Sequence, residues 1–478
     1  MECKTLSDIC LRICSGGTPK RSCREYYDGG TIPWLNTAEV NFNRIRSTAS
    51  HITEQGLDNS STRWVPKDTV IVAMYGATAG RVAIAGIPLT TNQACCNLVI
   101  DCALADPKYV YYWLKNRHCE IAGLANGGAQ QNLSVRVLKE VEIVLPALSV
   151  QHAVADYLAV LDEKIELNSR INDHLLEMAL SEYKELSRQS SSKRTLQDCT
   201  SLLCRGGAPK YCEKGKFHAL NQRCIRNHKI DDANARRIEN PRSREKLLRY
   251  GDILICSTGT GTLGRSAQVL CHDERVTVDS HVTIVRPAYE ALVEYLGCWA
   301  LSSEDQFESM AKGSTGQTEL PRTELAELEI GFPDAASLND FSGKTKPLFE
   351  AIQSNVRENQ SLECLRDALL PKLMSGEIDV SRIGLRQLNG HLAAYPIWPE
   401  RKPHPQQLLS EQFVMGASAL KVGCIAIYAP DEKPIAGIGN MAFIASFPSA
   451  RKPMHIVSVF EDLDGFGAVF QDKTNDCF

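Results

Sequence analysis

One stretch of helical periodicity occurs twice in this chain, 187 residues apart, and that repeat constrains the fold more than any other feature. Steps of alternately three and four residues from Leu158 visit Leu161, Ile165, Asn168, Asn172, Leu175, Ala179, Glu182 and Leu186. This is a mostly apolar seam at heptad spacing, which predicts a long helix of roughly 30 residues. Adding 187 to the leading positions gives Leu348, Ile352, Asn355, Asn359 and Leu362, so the copy keeps three apolar positions and both asparagines in register. Asparagine at a seam position lowers stability and persists where it fixes register and partner. Two in each copy predict that the helices pair with each other as a coiled coil.

The segments outside the helices repeat as well. Residues 1–147 open with a short helix-like stretch, followed by the loop SGGTPKR, Ser15 to Arg21, where two glycines permit positive φ and Pro19 stiffens the turn. Strands are predicted at Ile32 to Asn36, twice within Trp64 to Ile84 around the tight Gly76 to Gly80 connection, and through LTTNQACCNLVI. A helix from about Pro107 to Ala125, a loop from Asn126 to Asn132 and a strand VEIVLP complete the unit. After RQSSSKR, Arg188 to Arg194, which suits a linker, the unit returns in diverged form. RGGAPKY answers SGGTPKR, and YGDILICSTGTGTLGRSAQV answers VPKDTVIVAMYGATAGRVAI. At the 187 offset Asn92, Gln93 and Ala94 fall on Asp279, Ser280 and His281, so the scaffold repeats while polar loop residues change.

The expected class is therefore α+β: two similar mixed units at 1–147 and 191–334, long helices at 148–190 and 335–380, and an extension at 381–478 without a counterpart. Within that extension GCIAIYAP and MAFIASF read as strands, and Pro396 to Pro405 as a linker. No apolar run is long enough to span a bilayer and the polar start lacks a signal-peptide core, so a cytoplasmic protein without a membrane partner is expected. The 18 cysteines are scattered singly, which predicts reduced thiols, and no metal site is expected because four convergent ligands are missing.

A formal net charge of -4 hides strong segregation. Residues 193–249 hold 15 Lys and Arg against 6 Asp and Glu, whereas the helix from Val150 to Arg188 holds 4 against 8. One unit should thus carry a cationic face, as nucleic-acid binding needs. The most conspicuous catalytic-looking motif is Gly259 to Ser266, which satisfies GxGxxG and approaches a P-loop with Arg265 in place of lysine. Both motifs require a following helix, and the residues after it are too interrupted to form one, so a hairpin turn is expected. A nucleotide-dependent enzyme using this turn is the competing reading, and a standalone DNA-binding or scaffold protein is a second. No HExxH, no GxSxG elbow and no carboxylate cluster is found, and His51, His118, His152 and His174 are isolated.

The loops supply readers instead, since Arg and Lys pair with guanine, Asn and Gln with adenine, and Ser or Thr with either. In the first unit these are Thr18, Lys20, Arg21 and Arg24 after the double glycine, Asn36 after a strand, Thr78 in the tight connection, Asn92 and Gln93, and Gln130 and Gln131. In the second they are Lys210, Tyr211 and Lys216, then Asn221 and Arg223, then Thr260 and Arg265, Ser280 and His281, and Thr315 and Gln317.

The order SGGTPK, LPxLxxQxxxAxxLxxLDxKIELN around Leu145 to Asn168, a second GGxPK unit and LRDALLPKLMSGEI resembles the specificity subunit of type I restriction-modification systems over roughly residues 1–380. The resemblance implies two target-recognition domains held apart by antiparallel helices, each reading half of a split site in double-stranded DNA, with no chemistry in this chain. It also implies assembly with two modification subunits and with restriction subunits that translocate DNA, which bring S-adenosylmethionine, ATP and Mg2+. Leu338 stands where the first copy has Gln151 of the LPxLxxQ motif, a departure that bears on contacts to those partners. A helix of that length is about 45 Å long and DNA rises about 3.4 Å per base pair, so the two half-sites are expected about a helical turn or slightly more apart.

Overall fold

The computed structural model describes residues 2–125, 132–190, 192–271, 275–312, 318–378, 455–462 and 465–471. The predicted loop at 126–132 lies almost wholly outside these residues, as do Gln130, Gln131, Thr315, Gln317 and most of the extension. Contacts divide the chain into two compact units, Met1–Tyr157 with Leu369–Phe478, and Leu158–Ala368.

In the first unit Cys95–Ile100 is hydrogen-bonded on one side to Cys10–Ser15 and on the other to Val70–Ala73, with Val82–Ala85 and Asn43–Ile45 completing a five-stranded sheet. Val70–Ala73 and Val82–Ala85 are buried at every position. Because side chains alternate across a strand, such runs need cover on both faces. Ile71, Ala73, Ala83, Ala85 and Cys95 meet Leu35, Val65 and Leu89 of a second sheet, and the helix Pro107–Asn116, capped by Asp106 and begun by a proline, packs on the same two strands.

The second unit repeats this frame. Val282–Pro287 lies between Thr200–Arg205 and Ile253–Cys256, which pairs in turn with Ser266–Gln268. Phe217–Leu220 runs parallel to Val276–Val278, as Ile32–Leu35 runs parallel to Leu89–Thr91. Strand alternation is legible in the core: Leu254 and Cys256 join one cluster with Leu220 and Ile284, while Ile253 and Ile255 join another with Tyr295, Trp299 and Phe349.

Three expectations need correction. The opening stretch is not helix-like but two strands, Glu2–Thr5 and Cys10–Ser15, around a turn in which Asp8 accepts from the Thr5 amide at 2.8 Å. Leu6 and Ile9, three apart and both fully buried, mimic helical spacing there. The RQSSSKR stretch is not a free linker either. The helix continues to Gln189, and Ser192–Thr195 pairs antiparallel with Glu329–Phe332, just as Glu2–Thr5 pairs with Glu142–Leu145. LTTNQACCNLVI likewise divides into Leu89–Thr91 and Cys95–Ile100, which belong to different sheets.

The long helices run from Leu148–Gln189, 42 residues, and Ala335–Ser375, 41 residues, each longer than the heptad seam alone suggested. Leu158, Leu161, Leu348 and Ile352 are buried, and Ile165, Leu175 and Leu362 are half-buried. The four asparagines bond across the pair: Asn168 Nδ2 donates to Asn359 Oδ1 at 2.9 Å, and Asn355 Nδ2 donates to Asn172 Oδ1 at 2.8 Å. The partners advance in opposite directions, so these helices are antiparallel. Since Asn168 corresponds to Asn355 and Asn172 to Asn359, the first asparagine of each copy meets the second of the other, as a pseudo-twofold relation requires. Arg366 adds a bond to Asp162 at 2.8 Å.

Gln151 is only 1% exposed, accepting from the Asp106 amide at 3.0 Å and donating to the Pro146 carbonyl at 2.9 Å. It ties its helix to its own unit. Leu338, its counterpart, is buried in an apolar cluster instead.

Candidate nucleic-acid interface

Three backbone bonds that gather the loops recur in both units. In the first, Gly16 N–H donates to Cys95 O, Gly17 N–H to Thr91 O, Asn92 N–H to Leu35 O and Met74 N–H to Ala94 O, over 2.8 to 3.2 Å. Four strand ends are thereby drawn to one edge. A Cβ on Gly16 would fall 2.1 Å from Thr91 O, which explains the glycine. In the second unit Gly206 donates to Val282 O, Asp279 to Leu220 O and Ser257 to His281 O, over 2.8 to 3.0 Å. The Asn92 side chain accepts from Ala94 N–H at 3.2 Å and the Asp279 side chain from His281 N–H at 2.9 Å, one Asx turn used twice.

On this frame the first unit brings together Thr18, whose hydroxyl donates to Gln93 Oε1, and Asn92, whose amide reaches Asn36 Oδ1 at 3.4 Å. Gln93 is exposed and its amide N–H2 remains for a ligand. Asn36 also serves a capping box with Glu39, so part of its bonding capacity is internal. Thr78 lies in the turn after Ala73, its hydroxyl on the Tyr75 carbonyl. Lys20, Arg21 and Arg24 are exposed beyond Pro19, whose carbonyl accepts from the Tyr27 hydroxyl at 2.6 Å.

In the second unit His281 is exposed with Nδ1 2.6 Å from the Thr258 hydroxyl, beside half-buried Ser280. Burial raises the Asp279 carboxyl, against the lowering effect of the His281 amide and imidazole. Lys210, Tyr211, Lys216, Arg223 and Thr260 are exposed and Arg265 is half-buried. Asn221 is partly engaged within its loop: its Oδ1 accepts from Arg223 N–H at 2.8 Å and its Nδ2 donates to Asn234 O at 2.8 Å, which leaves one side-chain N–H.

Three residues escaped the sequence list. Arg236 stacks 3.4 Å over the Tyr211 ring centroid, Arg237 pairs with His218 in the sheet, and Arg242 packs over Gly207. The local charge excess had counted them, but strand register places Arg236 and Arg237, and packing over Gly207 places Arg242, at the double-glycine loop.

The Gly259 to Ser266 segment joins two antiparallel strands, as expected of a hairpin. Leu263 N–H donates to Gly259 O and Gly264 N–H to Cys256 O, so these amides are spent on the turn. Ser266 N–H donates to Glu304 Oε1 at 2.6 Å, which places a carboxylate where a P-loop would hold phosphate. No helix follows. The buried thiols are inert by environment, with burial pushing Cys96 and Cys256 up to about 12. Among the described residues no group of three or more His, Cys, Asp or Glu could hold a metal, and no helix is long and apolar enough to cross a membrane.

Two copies of one mixed module thus each close a polar rim over a double-glycine loop. Residues 1–177 match the family model described as the type I restriction modification DNA specificity domain. The MjaIX type I restriction enzyme specificity subunit of Methanocaldococcus jannaschii is 27% identical over 422 residues, 80% of this chain and 94% of that one. The EcoR124I/EcoR124II specificity subunit of Escherichia coli is 26% identical over 180 residues, 37% of this chain and 43% of that one. A solved S subunit from M. genitalium has 21% identity and a TM-score of 0.46, covering 78% of this chain and 95% of that chain. The chain is thus similar to type I restriction enzyme specificity subunits, over residues 1–177 by the family model and over 80% of its length by the M. jannaschii relative.

Proposed function

We propose that this chain is the DNA-reading subunit of a type I restriction-modification complex and carries no catalytic centre of its own. Each module reads one half of a two-part duplex target, and the paired helices serve as a coiled-coil spacer that sets the unread interval. Two modification subunits supply S-adenosylmethionine chemistry, and restriction subunits supply ATP- and Mg2+-dependent translocation and cleavage. The observation that carries this reading is the repeated rim: Asn92, Gln93 and Ala94 become Asp279, Ser280 and His281 on three shared backbone bonds and a shared Asx turn. Constant backbone with altered donors and acceptors is what two readers of different sequence require. A nucleotide enzyme built on Gly259 to Ser266 is disfavoured by the carboxylate and spent amides at that turn.

The test replaces residues 1–147 with the matching module of another specificity subunit and maps methylation in a host that also carries the modification subunits. One half of the methylated motif should change while the other half and its spacing persist. Change in both halves, or in neither, would contradict the proposal.

A further inference from the structure

The two rims differ in kind as well as in sequence. Resting on the DNA reading above, we propose that the second module supplies most of the sequence-independent, phosphate-directed grip, through Lys210, Arg236 and Arg242, while the first reads mainly through uncharged amides and hydroxyls.

The contrast is position by position. Trp34 pairs with Ser50 and Pro33 with His51, while the equivalent strand residues Ala219 and His218 pair with Arg236 and Arg237. The space over Gly17 is bounded by Ser61 and Thr62, and that over Gly207 by Arg242. Tyr211 bridges to Ile238 and Cys212 N–H donates to Arg237 O, so the Lys210-Tyr211 segment lies against the arginine strand. Lys246 Nζ donates to Arg205 O at 2.7 Å and holds the other side of the loop. Within the module charge is segregated, with 15 basic against 6 acidic residues over 193–249 and 5 against 14 over 250–334. The matching stretch of the first module, 3–66, holds 8 against 6.

Several cations of the first module are also already engaged. Arg12 donates to Trp64 O, Arg44 pairs with Asp68, Arg63 donates to its neighbours' carbonyls and Arg81 to Asn41. Lys20, Arg21 and Arg24 remain, with Glu25 and Asp28 beside them in sequence. A guanidinium stacked on an aromatic face, as Arg236 is on Tyr211, is held in place yet keeps its edge N–H groups for a phosphate.

The salt dependence of binding by the full chain to a mixed-sequence duplex of about 60 base pairs tests this, because each neutralised phosphate contributes about 0.9 to the slope of log affinity against log salt. The triple variant Lys210→Gln, Arg236→Gln, Arg242→Gln should lower the slope by about 2 to 3. The triple variant Lys20→Gln, Arg21→Gln, Arg24→Gln should lower it by less than about 1. Arg236→Lys with Arg242→Lys should keep the parent slope, since counterion release counts charge rather than shape. Equal losses from both triples, or an unchanged slope in the first, would overturn the division of labour while leaving DNA reading intact. No duplex binding by the unaltered chain at low salt would count against the DNA reading itself.

Discussion

Gly16 shows how a single residue commits a loop. A side chain there would enter the space of Thr91 O, so Gly16→Ala must displace the backbone that carries Thr18 and its partner Gln93. Crowding of this kind costs about 1 to 3 kcal/mol, and a lowered melting temperature together with weaker DNA binding is expected by calorimetry and titration. Gln151 makes the complementary case for buried polar groups. Gln151→Leu, which installs the residue found at its repeat position, leaves the Asp106 amide and the Pro146 carbonyl without this partner. The expected loss, read from urea unfolding, is about 1 to 3 kcal/mol. Glu304 links the second module to pH. Burial alone would raise its carboxyl, but hydrogen bonds from His228 and Ser266 bring it below the ordinary 4.5. A carboxylate with a depressed folded value gives stability that is present above 4.5 and lost as pH falls through that lower value. Glu304→Gln should therefore make the acid limb of the stability profile shallower, and an unaltered limb would remove this role.

Among elements, the long helices were the most legible in sequence because heptad spacing is local and the asparagines sat in the same register twice. Their cross-helix bonds now say what the register is for: Asn168 with Asn359, and Asn172 with Asn355. Asn172→Ala should leave the Asn355 amide unpaired, and a double-mutant cycle over this pair is expected to show a coupling of about 0.5 to 3 kcal/mol. Leucine at both positions should recover stability while loosening register. The elements missed from sequence fail for a common reason. Ser192–Thr195 is strand because it meets Glu329–Phe332 far along the chain, and the turn at Thr5 to Asp8 is held by its side chains rather than by apolar spacing. Arg236, Arg237 and Arg242 were visible as charge but not as site, since strand register brings the first two, and tertiary packing over Gly207 the third, to the double-glycine loop.

At the scale of the molecule, duplication explains why the parts agree. Two modules share the order of four strands in the main sheet, closing strand pairs and an Asx turn, yet present different donors at the rim. On the proposed reading, a constant scaffold with a varied edge would let each module change its preferred bases without altering the way the chain folds. The central claim is that one chain reads two separated pieces of duplex. Single-molecule methylation mapping of a host carrying this chain with its modification subunits tests it most directly. The expected result is a split motif, two short specified parts around a fixed interval of unspecified bases, that disappears when this chain is removed. A single uninterrupted motif, or a split motif that persists without this chain, would contradict it.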